Sequence, residues 1–139
     1  MNNPGTHAAV GNSPFLSWRE RGTASLFEKT SLQSLGGEEI LFCRVRYEPG
    51  AVVAAHRHEA TEQVMWVLDG EIEMEVGGES RTVRADDCVV INRGVEHSLA
   101  SPGGCTFLEA LSPVPRDHIA NPERDLVLGP DGGSHHVDR

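Results

Sequence analysis

Apolar and polar residues alternate along most of the middle of the chain, and turn residues break the alternation about every 8–12 positions. In "LFCRVRYE", Leu41, Cys43, Val45 and Tyr47 fall on one face, and Arg44, Arg46 and Glu48 on the other. "EPGA" then turns the chain. "EIEMEV" alternates strictly, with Glu71, Glu73 and Glu75 outward and Ile72, Met74 and Val76 inward, and "GGE" turns again. "RTVRA", "CVVINR", "HSLA" and "CTFLEAL" follow as short strands. Only "SLFEKTSLQSL" (25–35) fits helix and strand equally. Asp69-Gly70, between "VMWVL" and "EIEMEV", predicts a two-residue hairpin, since a type I′ turn needs φ > 0 at both central residues. Many short strands joined by Gly-rich turns make an all-β sandwich or barrel.

At 139 residues the chain fits one domain. A domain of that size buries roughly 68–70% of its unfolded surface and needs no disulfide staples. Residues 1–14 and 129–139 are rich in Gly, Pro, Asn, Ser and His and read as flexible ends. With 21 acidic and 12 basic residues the formal net charge is -9, which argues against nucleic acid as a partner. No window reaches the length of a membrane span, and the N-terminus lacks the basic start and apolar core of a secretory signal. The odd set Cys43, Cys88 and Cys105, each within an apolar run, reads as buried free thiols of a cytoplasmic protein.

The chemistry concentrates in "HRHEATEQ", residues 56–63. Ala54, His56 and His58 are two apart and so share a face. Glu62 and Gln63 then compete to point the same way. Counting from a two-residue loop at Asp69-Gly70, Val67 opposes Ile72, Met65 opposes Met74 and Gln63 opposes Val76. Side chains opposite each other share a face, so Gln63 points inward and Glu62 outward. One further loop residue would exchange them. His97 opens "HSLA" after the turn "NRGVE". Three imidazoles and one amide form a plausible nitrogen and oxygen site for a metal.

These residues resemble the cupin superfamily. Its first motif reads Gly, five residues, His-x-His, three or four residues, a ligand, six residues, Gly; Gly50, His56, His58, Gln63 and Gly70 fit that frame. The second motif reads Gly, five residues, Pro-x-Gly, two residues, His, three residues, Asn. Here it is Asp86, Asn92-Arg93-Gly94, His97 and Ser101, with Asp for Gly, Asn for Pro and Ser for Asn. The resemblance covers about residues 38–112. It implies a single jelly-roll barrel with one divalent ion held by His56, His58, Gln63 and His97. Zinc is the first expectation, with nickel, iron or manganese as alternatives. Two small cupin types carry this His-His-Gln-His set: a zinc-binding aromatic polyketide cyclase, and the ketouronate-linearising protein of pectin and alginate degradation. The second type has a late acid, an aromatic, Ser-Pro and an Arg. "EALSPVPR" supplies Glu109, Ser112-Pro113 and Arg116, with Leu111 in the aromatic's place and Arg116 one residue late.

Three imidazoles and a neutral amide leave a divalent ion its full charge, which suits Lewis-acid chemistry on carbonyl oxygens better than oxygen activation. Glu109 shares a strand face with Cys105, Phe107 and Leu111, and among apolar side chains its basicity would rise, as a general base requires. The inward set is expected to be Val52, Ala54, Met65, Val67, Ile72, Met74, Val76, Leu99 and Phe107, with no inward Arg or Lys unless Arg116 reaches the mouth. A sugar acid wants such a partner and an apolar poly-β-ketone does not. The expected substrate is therefore an apolar small molecule with carbonyl oxygens, and the expected activity a redox-neutral cyclase. A ketouronate isomerase or lyase, a dioxygenase and a non-catalytic binding protein are the alternatives. Val64, Trp66 and Leu68 form an outward apolar patch to be covered by a homodimer partner, or by the segment bearing Phe15, Trp18 and Phe27. His7, His118, His135 and His136 receive no role.

Overall fold

The computed structural model describes residues 14–23, 25 and 27–113, and the backbone of 124–128 and 134–138. Eight strands form the body: β1 (Thr30–Gly36), β2 (Leu41–Tyr47), β3 (Ala51–His56), β4 (Glu62–Val76), β5 (Glu79–Arg84), β6 (Cys88–Ile91), β7 (His97–Ser101) and β8 (Cys105–Ser112). The ambiguous segment 25–35 thus ends in strand β1. Two further strands, β9 (Arg124–Leu128) and β10 (Ser134–Asp138), pair with each other, so residues 134–138 of the expected flexible end are paired as a strand. Residues 1–13 and Arg116 lie outside the described residues.

The body is two antiparallel sheets that share one long strand. The first half of β4 lies between β8 and β6 in a sheet that continues through β2 to β1. Its second half lies between β7 and β5 in the other sheet, which continues to β3. The alternation in β2 is the burial pattern: Leu41, Cys43, Val45 and Tyr47 are buried and Arg44 and Arg46 exposed. Met65, Val67, Ile72, Met74, Leu99 and Phe107 fill the space between the sheets, where Tyr47 meets Phe107 edge to face at 5.2 Å. This is the all-β jelly-roll barrel the sequence implied. Among the described residues no helix is long and apolar enough to cross a membrane.

The expected hairpin at Asp69-Gly70 does not form. β4 runs on through it, and the register against β8 shifts between Val67 and Asp69. Gln63 faces Leu111 and Ile91, not Val76. The inference about faces nevertheless holds: Gln63, Met65 and Val67 are buried, then Ile72 and Met74. A two-residue hairpin and a one-residue bulge both exchange odd for even positions, so both give the same inward set. The tight two-residue turn is Gly77-Gly78, with φ 56° and 87°, between the paired Val76 and Glu79.

Gly70 marks the passage between sheets, with φ 76°. A Cβ there would collide with the Gly104 carbonyl oxygen and stand 2.8 Å from Cys105 Cα. Backbone atoms cannot swing aside as a side chain can. Gly70→Ala should therefore destabilise by more than about 1 kcal/mol, read as a lowered urea midpoint. A midpoint equal to wild type would show that the passage relaxes freely.

Two other expectations are corrected. Val52 and Ala54 are exposed, while Ala51 and Val53 are buried. The register of β3 shifts between Val53 and His56, and that irregularity turns His56 inward despite its parity with Val52. All three cysteines are free, but Cys88 is exposed on the outer face of β6 opposite Trp66. Trp18 packs against Phe42 at 5.9 Å and Phe15 is exposed, while Val64, Trp66 and Leu68 stay 37–45% exposed in the single chain.

Candidate metal centre

His56 ends β3 and His97 begins β7, and the two are register partners with ring centroids 4.3 Å apart. His58 sits in the loop after β3, its ring 5.3 Å from His56 and 5.4 Å from His97. One nitrogen from each ring lies within 4.8 Å of the others. The loop is held by the turn that precedes His97. Gly94 N–H donates to the His58 carbonyl at 2.8 Å, and Arg93 Nε donates to the Ala60 carbonyl at 2.9 Å. The two segments that carry the histidines are thus tied together before any ligand enters.

Neighbouring carbonyls set the tautomers. His56 Nδ1 lies 2.7 Å from the Ala54 carbonyl oxygen, and His97 Nδ1 lies 3.0 Å from that of Val95. A carbonyl oxygen can only accept, so each Nδ1 carries the hydrogen and each Nε2 keeps its lone pair. Burial lowers the His97 pKa, the backbone bond to Val95 partly opposes this, and His56 adds to the lowering. The neutral ring that a metal requires is therefore favoured.

Gln63 is buried and Glu62 exposed. The Gln63 Nε2 donates to Glu109 Oε1 at 2.6 Å, and among the described residues its buried Oε1 has no hydrogen-bond partner. A buried carbonyl oxygen without a donor costs about 1–3 kcal/mol. A cation would satisfy it. Two Nε2 lone pairs of fixed tautomer, a third imidazole and this amide oxygen form a donor set that fits a divalent ion.

Glu109 stands on the inner face of β8, between Cys43 of β2 and Met65 of β4. Burial pushes its pKa up to about 7, while the Gln63 amide holds it down in part. The same burial and the nearby carboxylate raise the Cys43 thiol and the Tyr47 hydroxyl. Glu109 is outside the histidine group and bonds the Gln63 amide. Arg116 and His118 lie outside the described residues.

Sequence reasoning missed Arg81. Val76 opposes Glu79, so Met74 opposes Arg81, and Arg81 stands on Met74's side of the strand pair at the barrel edge, with its side chain exposed. The signal was present: carrying the register on from Gly77-Gly78 would have found it.

The raised pKa has a testable consequence for stability. The folded state holds the Glu109 proton up to about pH 7, whereas a free glutamate loses it near 4.5. The folded state binds the extra proton, so stability is full below about pH 4.5 and falls as pH rises through 7. His97 acts oppositely, losing stability as pH falls below its ordinary range. In metal-free protein the melting-temperature difference between wild type and Glu109→Gln isolates the carboxylate. Wild type should lose ground from pH 5 to 8 by at most about 3 kcal/mol. A difference that does not vary with pH would show an ordinary carboxylate.

A family profile described as "Cupin domain" matches residues 43–110. The chain is 27% identical over 94 residues to the oxalate-binding protein of Thermotoga maritima, spanning 68% of this chain and 77% of that protein. It is 22% identical over 100 residues to the tetracenomycin polyketide synthase protein TcmJ of Streptomyces glaucescens, spanning 70% and 67%. Its fold is similar to that of KdgF from Halomonas sp., with a TM-score of 0.68 at 21% identity, covering 73% of this chain and 94% of that one.

Proposed function

The chain belongs to the cupin superfamily, and from that premise we propose that it is a metal-dependent enzyme of redox-neutral carbonyl chemistry, with polyketide cyclisation as the best single assignment. The observation that carries this is the cluster of three histidines together with the Gln63–Glu109 pair, whose buried amide oxygen has no donor among the described residues. His56, His58, His97 and the Gln63 amide oxygen would hold one divalent ion, zinc being the first expectation for that donor set. Such an ion supplies Lewis-acid polarisation of a carbonyl oxygen.

The chain's own residues supply the rest. Glu109, with a pKa near neutrality, can take a proton from a carbon next to a carbonyl and return it to another atom of the same substrate. The Gln63 amide hydrogen aims the carboxylate, because its 2.6 Å bond fixes one oxygen and leaves the other available. Met65 and Phe107, both fully buried, line the site and keep water from competing for the proton. The similarity to TcmJ, a tetracenomycin polyketide synthase protein, supports a polyketide as the substrate.

The direct test is hydrogen–deuterium exchange at the central carbon of a 1,3-diketone, followed by NMR with metal-loaded protein. Exchange that depends on Glu109 supports the proposal. A binding-only protein, the reading favoured by similarity to the oxalate-binding protein, would hold the diketone without accelerating exchange. A keto sugar acid is the second reading, because Arg81 at the barrel edge offers a guanidinium to a sugar carboxylate.

A further inference from the structure

A groove of about 470 Å³ opens between the free edges of β5 and β6. Its lining mixes Met74, Val76, Val83 and Val89 with Thr82 and Asp87, and its rim carries Arg81 with Glu79. This groove adjoins the candidate metal centre. Val76 lies directly opposite His97 across β4 and β7. Val89 lies opposite Met65, which in turn faces Glu109. Arg81 sits on the next strand out from Val76 and two residues along, about 7 Å by strand rise. Val76 therefore stands between His97 and the β5 strand that carries the guanidinium.

The guanidinium is held only weakly. Arg81 Nε bonds Glu79 Oε2 at 2.6 Å, but both side chains are well exposed. An exposed pair of this kind is worth little and exchanges readily. The other rim carboxylate, Asp87, already accepts the Arg84 backbone N–H at 2.9 Å, so it competes less for Arg81. Arg matches a carboxylate in a planar two-point contact, which no other group on this surface offers.

We infer that the β5–β6 groove is the specificity subsite for the substrate's tail, and that the tail is an apolar chain ending in a carboxylate that displaces Glu79 from Arg81. This rests on the proposed carbonyl chemistry at the histidines and adds the substrate class: an elongated keto acid. Met74, Val76, Val83 and Val89 favour an apolar chain over a polyhydroxylated sugar, whose hydroxyls would lose water against these side chains.

The test is calorimetric binding of 7,9-dioxodecanoate and its methyl ester to metal-loaded protein. Wild type should bind the acid at least about 10-fold more tightly than the ester. Arg81→Gln should abolish that preference by weakening the acid alone. Glu79→Gln should raise the acid's affinity about threefold, since it removes the competing carboxylate. Equal affinity for acid and ester in wild type overturns the inference, as does a preference that survives Arg81→Gln. Tighter binding of galacturonate than of the keto acid overturns the apolar tail. If neither diketone binds, the subsite falls, and metal analysis of the same sample decides separately whether the metal centre falls with it.

Discussion

Replacing His97 by alanine should abolish stoichiometric binding of a divalent ion, with a loss in affinity of more than about 100-fold. Altering even the outer partners of metal ligands costs 10–100-fold, and His97 is proposed as a direct ligand. It is nearly fully buried, its ring is 4.3 Å from His56, and its Nε2 lone pair is freed by the Val95 carbonyl. Two imidazoles and an amide would remain, one donor short of a closed set. Elemental analysis after dialysis measures this directly. The melting temperature provides a second readout. An ion that binds only the folded chain stabilises it by roughly 2.7 kcal/mol at a free concentration of 100 times Kd. Chelation should therefore lower the melting temperature of wild type and leave that of His97→Ala unmoved. Because the variant also leaves a cavity, His56→Ala is the companion: that ring is only partly buried and its loss disturbs packing less. Retention of one ion per chain by both variants would refute the site.

Glu109→Gln should lower turnover by about 10²–10⁴-fold while leaving metal content intact. The substitution keeps the shape and removes the basicity. Its amide can still bond the Gln63 amide, so the local geometry has a way to survive. The pH profile distinguishes chemistry from packing. A base acts when deprotonated, so the wild-type rate should climb as pH rises through the carboxylate's pKa, which burial raises. That acid limb should vanish in the variant. Unchanged turnover, or the same limb with lower amplitude, would make Glu109 a structural residue only.

Both predictions depend on which residues face inward, and here sequence reasoning succeeded unevenly. Gln63 was placed correctly by counting from a hairpin that does not exist. The count survived because the bulge before Gly70 exchanges odd and even positions just as the hairpin would. In β3 the same kind of event had the opposite effect. No local signal in "AVVAAH" marks the shift between Val53 and His56, so Val52 and Ala54 were placed on the wrong face. Arg81 was legible from the Gly77-Gly78 turn, since a two-residue loop sets every pair that follows it. The neutral-range pKa of Glu109 was legible only as a direction. Its magnitude comes from burial between neighbouring strands, opposed in part by the Gln63 amide.

What the sequence determined by itself is therefore local and periodic: the strands, the apolar faces of the regular ones, the Gly77-Gly78 turn and the histidine spacing, because each follows from the two-residue repeat of a strand and the backbone freedom of a few glycines. What the tertiary structure alone decided is non-local. It made Asp69-Gly70 a passage between sheets instead of a turn, since Gly104 and Cys105 of a distant strand close against Gly70 and leave no room for a side chain. It placed Glu109 against Gln63, 46 residues away along the chain, where loss of water raises the carboxylate's basicity. Register shifts and desolvation depend on what lies across the barrel, and no alternation along one strand carries that information.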